Sequence, residues 1–320
     1  MKIVEVQKFG GPEVLHIIEE ADAPPQAGQV AIDVKAAGIN FADIMAREGT
    51  YPGVSSAPFR PGYEIAGVVA ARGAGVESFA EGARVMAFVP SGGYTSRIVL
   101  KAEDVIPLPD GLDFAPATAL LVQGLTAYFL LEAGGLQPGK SVLIAGAAGG
   151  VGSLAVQIAK LQGAGKIIGM ASPSKHGRVR SLGADAAIDY TQTGWSKLAL
   201  AETAGKGIDI YLDSQGDPGS EVFDAFGEKA HWLIYGGQGQ QGNGLPPERL
   251  WAMTGKNITL RGFSLFGDAA NFKRGLTVLL GWMLSGKLKL DVQSFPLADV
   301  ARAHEAISHR QTTGKVVLVP

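Results

Sequence analysis

The sequence predicts an α/β protein with two domains, one mostly β and one built on a doubly wound parallel sheet. Its 320 residues exceed what one hydrophobic core usually organises. Residues 1 to about 110 contain short strand-like segments separated by turns, a pattern typical of a barrel or a partly open β domain. Between residues 141 and 236, strand-like segments alternate with helix-like ones, which indicates a parallel sheet with helices on both faces.

A glycine-rich turn opens the predicted parallel sheet, after the apolar run 141–144 and before a stretch with helical spacing of apolar residues. The dinucleotide pattern G-x-G-x-x-G fits with Ala147, Gly149 and Gly152 at its glycine positions, so the glycine of the tight turn is missing. The first N–H groups of a helix have no partners within it, and the helix dipole favours an anion there. We therefore predict a pyrophosphate site formed by Ala148, Gly149, Gly150, Val151 and Gly152. An ordinary βα turn is the alternative.

The segment after the second predicted strand, 166–171, favours one dinucleotide over the other. This strand ends at Ser172 without an Asp or Glu, which in NAD-binding proteins accepts hydrogen bonds from the ribose hydroxyls. Ser172 is followed by Lys175 and further cations, and a 2′-phosphate would meet no carboxylate there. The segment therefore favours NADPH. The alternative is the solvated basic start of a surface helix.

Composition limits the class of ligand. Apolar residues make up 46% of the chain and charged residues 18%, and the net charge is −2. This balance gives no electrostatic footprint for nucleic acid or an anionic membrane, so a small molecule is the expected partner. The chain has no cysteine, which excludes disulfides, thiolate nucleophiles and thiolate metal ligands. Its five histidines are scattered, and we predict no metal site.

The N-terminus alternates like a strand and lacks the apolar core of a signal peptide. We find no uninterrupted apolar run of roughly 18 residues, the length that crosses a bilayer. We therefore expect a cytoplasmic protein without a membrane partner.

Several separated blocks along the chain carry a family resemblance: 37–43 with 49–52, 61–69, 123–128, 147–152, 182–185 and 314–318. Together they resemble the medium-chain dehydrogenase/reductase superfamily, and within it the zinc-independent NADPH:quinone oxidoreductase branch, which is zeta-crystallin-like. An alanine at the first glycine position is usual in that branch. The resemblance implies a Rossmann-type domain over 123–263 and a GroES-like, partly open barrel domain over 1–122 and 264–320.

The resemblance also implies a reaction without zinc. Zinc-dependent relatives hold the metal with a cysteine from the first block and the histidine of a Gly-His-Glu triplet. This chain has Asn40 and Phe41 at the first place and Gly62-Tyr63-Glu64 at the second. The implied activity is hydride transfer from NADPH to a quinone or an α,β-unsaturated carbonyl (an enone or enal) in the cleft between the domains.

Asn40 and Tyr51 are the candidate catalytic residues. Tyr51 lies in a Gly-x-Tyr-Pro loop, and its phenol can donate a hydrogen bond or a proton to the acceptor; alternatively, its ring packs as a lid. Asn40 is expected to bond the nicotinamide ribose or the substrate carbonyl, or else to cap a turn. Many relatives carry a second tyrosine where this chain has Met45, which leaves one donor fewer.

The resemblance implies further cofactor contacts at Thr126, Tyr190, Ser214, Gly236, Phe263 and Leu265. Thr126 alternatively bonds its own helix, and Tyr190 alternatively packs at the sheet edge. The strand 258–263 is the candidate edge through which relatives form homodimers. Two other functions stay open at this point: a 2-enoyl thioester reductase, and an NADPH-binding protein without catalysis.

Overall fold

A computed structural model describes residues 1–217, 220–237 and 245–320. The chain forms two compact units. The first contains Met1–Gln123 and Lys289–Pro320, and the second contains Gly124–Leu288. The chain therefore leaves the first unit once and returns to it.

The first unit begins with seven strands and two helices. In chain order they are β1 (Lys2–Val6), β2 (Leu15–Glu19), β3 (Gln29–Ile39), α1 (Phe41–Glu48), β4 (Glu64–Arg72), β5 (Arg84–Phe88), β6 (Arg97–Lys101), β7 (Val105–Pro107) and α2 (Phe114–Ala119). A π-helical turn, Leu120–Gly124, follows α2 and leads into the second unit.

The second unit alternates strands and helices. Its elements are α3 (Leu125–Ala133), β8 (Ser141–Ile144), α4 (Gly150–Leu161), β9 (Lys166–Met170), α5 (His176–Ser181), β10 (Ala186–Ile188), α6 (Trp195–Glu202), β11 (Ile208–Asp213), β12 (Phe226–Ile234), α7 (Pro247–Lys256), β13 (Thr259–Gly262) and α8 (Phe272–Leu284). The sheet order is β10-β9-β8-β11-β12-β13, and every neighbouring pair is parallel. The predicted Rossmann-type, doubly wound sheet is confirmed.

The chain then returns to the first unit through β14 (Val292–Pro296), α9 (Val300–Ser308) and β15 (Lys315–Val319). The large sheet of this unit runs β14-β15-β3-β4-β5-β7, with β6 also paired to β3. The terminal strand pairs antiparallel with β3, as the sequence indicated, and brings Val316 opposite Ile39. The predicted mostly β unit is confirmed.

β3 is the longest strand and organises the first unit. It pairs with β6 over its first half and with β15 over its last three residues, while β4 covers its other side. The apolar residues Val30, Ile32 and Val34 alternate into the core, and the strand is fully buried from Ala36 onward. The residue that follows β3, Asn40, is therefore delivered into the interior.

The segment 264–288 belongs to the second unit, whereas the sequence placed the return to the first unit at residue 264. The reason is the packing of α8 on α3. Phe272 stacks on Phe129, with ring centroids 6.5 Å apart, and Arg274 binds Glu132 through two hydrogen bonds of 2.8 Å. The apolar spacing of α8 predicted a helix there but not its partner.

One helical run, Phe114–Ala133, is long and apolar enough, by length and composition alone, to cross a membrane. Of its apolar window, 78% is buried inside the protein. These residues therefore pack in the interior, as in a core helix.

Two glycines of α8 test its packing. A Cβ atom on Gly275 would lie 2.7 Å from Leu125 Cδ2 and 2.9 Å from Phe129 Cζ, whereas one on Gly281 would have no atom within 4 Å. We expect Gly275→Ala to lower the free energy of unfolding by about 1–3 kcal/mol through overpacking. The matched control Gly281→Ala should raise it by up to about 1 kcal/mol through helix propensity. Urea unfolding of both variants measures the difference, and equal effects would contradict this packing.

Candidate functional site

The glycine-rich stretch folds as strand, tight turn and helix. Gly146 follows β8 with φ of 61°, in the left-handed region that favours glycine. The turn closes with a 2.8 Å hydrogen bond from Gly149 N–H to the Gly146 carbonyl. The first bond of α4 then runs from Ser153 N–H to the Gly149 carbonyl, 2.9 Å away. The N–H groups of Gly150, Val151 and Gly152 lie at the N-terminus of α4, where an anion binds favourably.

The tight turn lies one residue earlier than the sequence pattern placed it. The pattern assigned this role to position 147 and found its glycine missing; the assignment is wrong, because Gly146 fills the role. Ala147 instead faces β9, and a Cβ on Gly169 would lie 2.8 Å from the Ala147 Cβ. Ala147 is therefore accommodated by a glycine on the neighbouring strand. A Cβ on Gly152 would collide with the Gly146 carbonyl, so the close approach of helix and turn requires glycine there.

The remaining sheet residues predicted to contact the cofactor follow the carboxyl ends of β9 to β13: Ser172, Tyr190, Ser214, Gly236 and Phe263. Because the carboxyl ends of parallel strands meet at one edge of a sheet, these residues and the glycine turn share that edge. Ligands of doubly wound sheets bind there, next to the point where the strand order reverses, here between β8 and β11. Contact of each residue with a ligand stays a prediction.

Three of these candidate positions have further structural detail. Thr126 of α3 is 7% exposed, and in the residues that the structure describes its hydroxyl makes no bond to its own helix, so that alternative is not realised. Tyr190 packs against the hydrophobic core of the second unit, as its alternative predicted. The Leu265 side chain is buried, which leaves its backbone as the group able to meet a ligand.

The segment after β9 presents hydroxyls and a cation. Ser172 precedes a 3₁₀ turn, Pro173–Lys175, in which Lys175 is half-buried. The Ser172 and Ser174 hydroxyls lie 3.5 Å apart. Asp189, after the neighbouring strand β10, is an acid near this segment, and Thr191 donates to its carboxylate from both N–H and hydroxyl. Residues 172–175 themselves carry no carboxylate, and the nearby carboxylate of Asp189 already accepts hydrogen bonds from Thr191.

Asp213, at the end of β11, is a functional candidate that the sequence reasoning missed. Its carboxylate is buried and accepts hydrogen bonds from the N–H groups of Gln215 and Gly216 and from the Trp232 indole, at 2.7, 3.1 and 2.9 Å. Burial raises the pKa of Asp213, and these donors oppose that rise. The arrangement fixes the turn that carries Ser214. A strand-terminal Asp followed by Ser-Gln-Gly was the available signal.

In the first unit, the side chain of Asn40 is buried and hydrogen-bonded. It is the N-cap of α1 and is 5% exposed. Its amide nitrogen donates to Glu64 Oε1 at 2.8 Å, and its amide oxygen accepts from Lys315 Nζ at 3.1 Å. Asn40 therefore occupies the N-cap position without a capping hydrogen bond from its side chain, and a contact of Asn40 with ligand stays a prediction.

Glu64 is the centre of this buried cluster. Its side chain and that of Lys315 are fully buried, and the two form an ion pair. The second carboxylate oxygen accepts the N–H of Val122 at 2.8 Å, within the π-helical turn. Lys315 also donates to the Ile39 carbonyl at 3.1 Å. The cluster thus joins β4, β15, the end of β3 and the turn that precedes the second unit.

Asp43 is a second buried carboxylate, one helical turn from Asn40. It accepts the N–H of Asn40 at 2.8 Å and the N–H of Gly62 at 3.0 Å. Burial raises the pKa of Asp43 to about 7, although both N–H groups and the charge of Lys315 favour the ionised form. One carboxylate therefore holds both the start of α1 and the backbone just before Tyr63.

A histidine and a tyrosine extend the Asp43 cluster inward. The Tyr94 hydroxyl hydrogen-bonds Asp43, and His304 Nε2 lies 3.3 Å from that hydroxyl. Burial, with the nearby charge of Arg47, lowers the pKa of His304 to about 3. His304 is therefore neutral throughout the physiological range, and it serves packing and hydrogen bonding.

Tyr51 lies in a loop anchored on α1 and faces a second tyrosine. The N–H groups of Thr50 and Tyr51 both donate to the Met45 carbonyl, at 2.9 and 3.2 Å. The ring centroids of Tyr51 and Tyr63 are 6.4 Å apart. Both rings line an open depression of about 680 Å³ in the first unit. The sequence pattern placed Tyr63 where zinc-dependent relatives have a metal ligand and predicted no contact of Tyr63 with substrate.

Side chains that could bind a metal ion do not cluster in the described residues. Over 1–217, 220–237 and 245–320, no group of three or more His, Asp or Glu side chains could hold a metal ion. At the two places where zinc-dependent relatives have ligands, Asn40 binds Glu64 and Lys315, and Tyr63 presents a phenol. The zinc-independent reaction stays a prediction.

The raised pKa of Asp43 predicts a pH dependence of stability. The pKa of the Asp43 carboxyl is about 7 in the native protein, whereas the ordinary pKa of an aspartate carboxyl is 3.8. Its contribution is therefore complete below about pH 4 and is lost as the pH rises through 7. We expect wild-type protein to lose free energy of unfolding relative to Asp43→Asn over this window, by at most about 1.4 kcal/mol per pH unit.

Urea unfolding at several pH values measures this difference. His304 has the opposite dependence, because its native pKa is lowered, but it is present in both proteins and cancels in the difference. Glu103→Gln, which removes an exposed carboxylate, is the control for loss of one charge. Parallel curves for wild type and Asp43→Asn would contradict the raised pKa.

Comparisons with known proteins agree with this architecture. The family model described as alcohol dehydrogenase GroES-like domain matches residues 26–110, and the model described as zinc-binding dehydrogenase matches residues 182–318. The quinone oxidoreductase of Pseudomonas aeruginosa is 33% identical over 324 residues, covering 100% of this chain and 99% of that protein. The human synaptic vesicle membrane protein VAT-1 homolog is 33% identical over 335 residues, covering 98% of this chain and 84% of that protein.

A solved structure is similar over the whole chain. The Escherichia coli quinone oxidoreductase complexed with NADPH superposes with a TM-score of 0.91 at 31% sequence identity, covering 100% of both chains. The two-unit fold, the glycine turn at the edge of the doubly wound sheet and these full-length similarities lead to one conclusion. The chain belongs to the medium-chain dehydrogenase/reductase superfamily, in its quinone oxidoreductase branch.

Proposed function

We propose that this oxidoreductase is an NADPH-dependent reductase of quinones and α,β-unsaturated carbonyls. One observation carries the proposal: the glycine turn before α4 and the acid-free segment from Ser172 to Lys175 lie at the same edge of one parallel sheet. Such an edge suits a dinucleotide with a 2′-phosphate. Full-length similarity to quinone oxidoreductases, one of them complexed with NADPH, supports the same activity.

The residues at this edge fit the cofactor. A Cβ on Gly149 would lie 3.3 Å from the Gly146 carbonyl, so glycine keeps the turn tight and clear of side chains. Backbone N–H groups, two serine hydroxyls and the Lys175 ammonium are donors suited to phosphate. We assign the pyrophosphate to Ala148, Gly149, Gly150, Val151 and Gly152, the 2′-phosphate to Ser172, Lys175 and Tyr190, and the nicotinamide half to Thr126, Ser214, Gly236, Phe263 and Leu265.

The chain itself binds, orients and protonates the acceptor. When bound, NADPH supplies a hydride, which carries both electrons of the reduction. The Tyr51 phenol donates a hydrogen bond to the acceptor oxygen, where negative charge develops. A proton from this phenol or from solvent completes the reaction, so that NADPH, acceptor and one proton give NADP⁺ and the reduced acceptor. Burial and the charge of Asp43 raise the pKa of Tyr51, which keeps the phenol protonated at neutral pH.

Asn40 acts on this site through α1. Its side chain ties the residue before α1 to Glu64 and Lys315, its N–H donates to Asp43 in the first turn, and the loop of Tyr51 is hydrogen-bonded to the Met45 carbonyl near the end of the helix. We therefore assign Asn40 the role of a positioning residue. Its amide can bind a ribose or a substrate carbonyl only if its hydrogen bonds to Glu64 and Lys315 rearrange.

We also propose a zinc-independent reaction, a homodimer and a cytoplasmic location. The first follows from Asn40 and Tyr63 at the places of the zinc ligands in dependent relatives. The second follows from β13, whose four residues are all exposed at the edge of the sheet. The third follows from the composition, which suits a soluble small-molecule enzyme.

The function is tested by NADPH oxidation with a panel of acceptors, followed by the fall in nicotinamide absorbance. The panel contains quinones, enals and enones, and 2-enoyl thioesters. We expect quinones and enones to be reduced and the thioesters to be poor acceptors. Preference for thioesters would favour an enoyl thioester reductase, and no oxidation across the panel would favour an NADPH-binding protein without catalysis.

Cofactor preference gives an independent test. Lys175→Ala removes the cation assigned to the 2′-phosphate, so the preference for NADPH over NADH should narrow by about 1 kcal/mol, roughly fivefold in the ratio of Kd values. Titration of nicotinamide fluorescence measures both constants. Lys197→Ala, an exposed lysine of α6, is the matched control and should leave the ratio unchanged. Equal affinities of wild-type protein for both cofactors would contradict the NADPH assignment.

A further inference from the structure

Four tyrosine hydroxyls in the described residues form a hydrogen bond with another side chain. The pairs are Tyr94 with His304, Tyr128 with Arg274, Tyr211 with Asp213 and Tyr235 with Ser214. In the part of the chain that the structure describes, the hydroxyls of Tyr51 and Tyr63 have no such partner. The O–H groups of these two half-buried tyrosines therefore donate to no other side chain in the described residues.

These two phenols share one depression. The open space of about 680 Å³ is lined by both rings and by neighbouring residues that include Val54, Phe59 and Arg60. The ring centroids are 6.4 Å apart and the ring planes are tilted by 51°. The lining is mixed: the two tyrosines, Val54, Pro58, Phe59 and Pro90 contribute apolar surface, and Glu5, Arg60 and three serines contribute polar groups.

Tyr63 is held rigidly by its backbone. The preceding Gly62 has φ of 102°, and its N–H donates to Asp43 Oδ1 at 3.0 Å. A Cβ on Gly62 would lie 2.6 Å from the backbone nitrogen of Tyr94, so glycine is required at this point. On the other side, Val89 N–H donates to the Tyr63 carbonyl at 2.9 Å. The phenol of Tyr63 is therefore presented from a fixed position.

Both phenols are donors at neutral pH. The pKa of Tyr51 and that of Tyr63 are both raised, mainly by burial and to a smaller extent by the charge of Asp43. One carbonyl oxygen can accept two hydrogen bonds, so the number of donors alone does not choose between acceptors. The two phenols stand on separate rings with centroids 6.4 Å apart, and an acceptor with a carbonyl oxygen at each end of its ring offers each phenol its own oxygen, whereas a monocarbonyl acceptor does not. The pair therefore distinguishes acceptors by their number of carbonyl oxygens.

We infer that Tyr63 is a specificity-determining residue, which with Tyr51 forms a two-phenol site that favours ring diones, such as quinones, over monocarbonyl enones. The inference rests on the proposed function and names its preferred substrate class. It also accounts for Met45: the second phenol that many relatives carry at that place is supplied here by Tyr63, from a different element.

The test compares two acceptors of the same ring size, 1,4-benzoquinone with two carbonyls and 2-cyclohexenone with one. Tyr63→Phe keeps the ring and removes the hydroxyl. We expect the ratio of kcat/KM for the quinone over the enone to fall about tenfold, the value of one hydrogen bond, mainly through a higher KM for the quinone. Tyr51→Phe should shift this ratio the opposite way, because enone reduction also needs a proton donor.

Tyr128→Phe, which removes a phenol of α3, is the matched control and should leave the ratio unchanged. Thermal unfolding of each variant establishes that it is folded. If the wild-type protein reduces neither acceptor, the proposed function fails. If it is active but Tyr63→Phe leaves the ratio unchanged, or lowers both activities equally, the inference about Tyr63 is overturned and the proposed function stands.

Discussion

The buried carboxylate of Glu64 is the interaction on which the first unit depends. Removing a carboxylate and an ammonium from water costs several kcal/mol each, and only close geometry with further hydrogen bonds offsets this cost. Glu64 and Lys315 meet that condition through Asn40, the Ile39 carbonyl and the Val122 N–H. Because loss of any one partner would leave buried charge or a buried unpaired group, the start of α1, the terminal strand and the π-helical turn are fixed together. That turn is where the chain passes to the second unit at Gly124.

The two candidate ligand sites are built on different physical principles. In the second unit, glycines at positions 146, 149 and 152 keep side chains away from the backbone N–H groups at a helix N-terminus, the groups proposed to bind the ligand. In the first unit, buried charge holds the backbone, and side chains are the groups proposed to meet the ligand. Asp43 illustrates this second principle: it binds the N–H groups of Asn40 and Gly62 and thereby places two segments that are 22 residues apart in the sequence. Among residues 1–217, 220–237 and 245–320, the hydroxyls of Tyr51 and Tyr63 have no side-chain partner.

Sequence reasoning predicted the doubly wound sheet well, because its order follows from local patterns. Alternating strands and helices fix a doubly wound order, and residues that end parallel strands share an edge. It failed where the determining contact is distant or conformational. Lys315 meets Glu64 across 251 residues, and no local spacing reports that pairing. Gly146 forms the tight turn because the backbone conformation, and not the position in a sequence pattern, decides where glycine is needed. The sequence predicted a role for Tyr51 but not for Tyr63, because no local spacing reports that the two rings lie side by side.

The measurement that tests the account most directly is the isotope effect on hydride transfer in a single turnover. NADPH carrying deuterium at one or the other face of C4 is mixed with the enzyme and a quinone that it reduces, and the loss of nicotinamide absorbance is followed by stopped flow. If the sheet edge holds the nicotinamide in one orientation toward the acceptor, deuterium at one face slows the reaction and deuterium at the other leaves it nearly unchanged. Equal rates for both labelled cofactors and the unlabelled one would contradict direct, oriented hydride transfer in this enzyme.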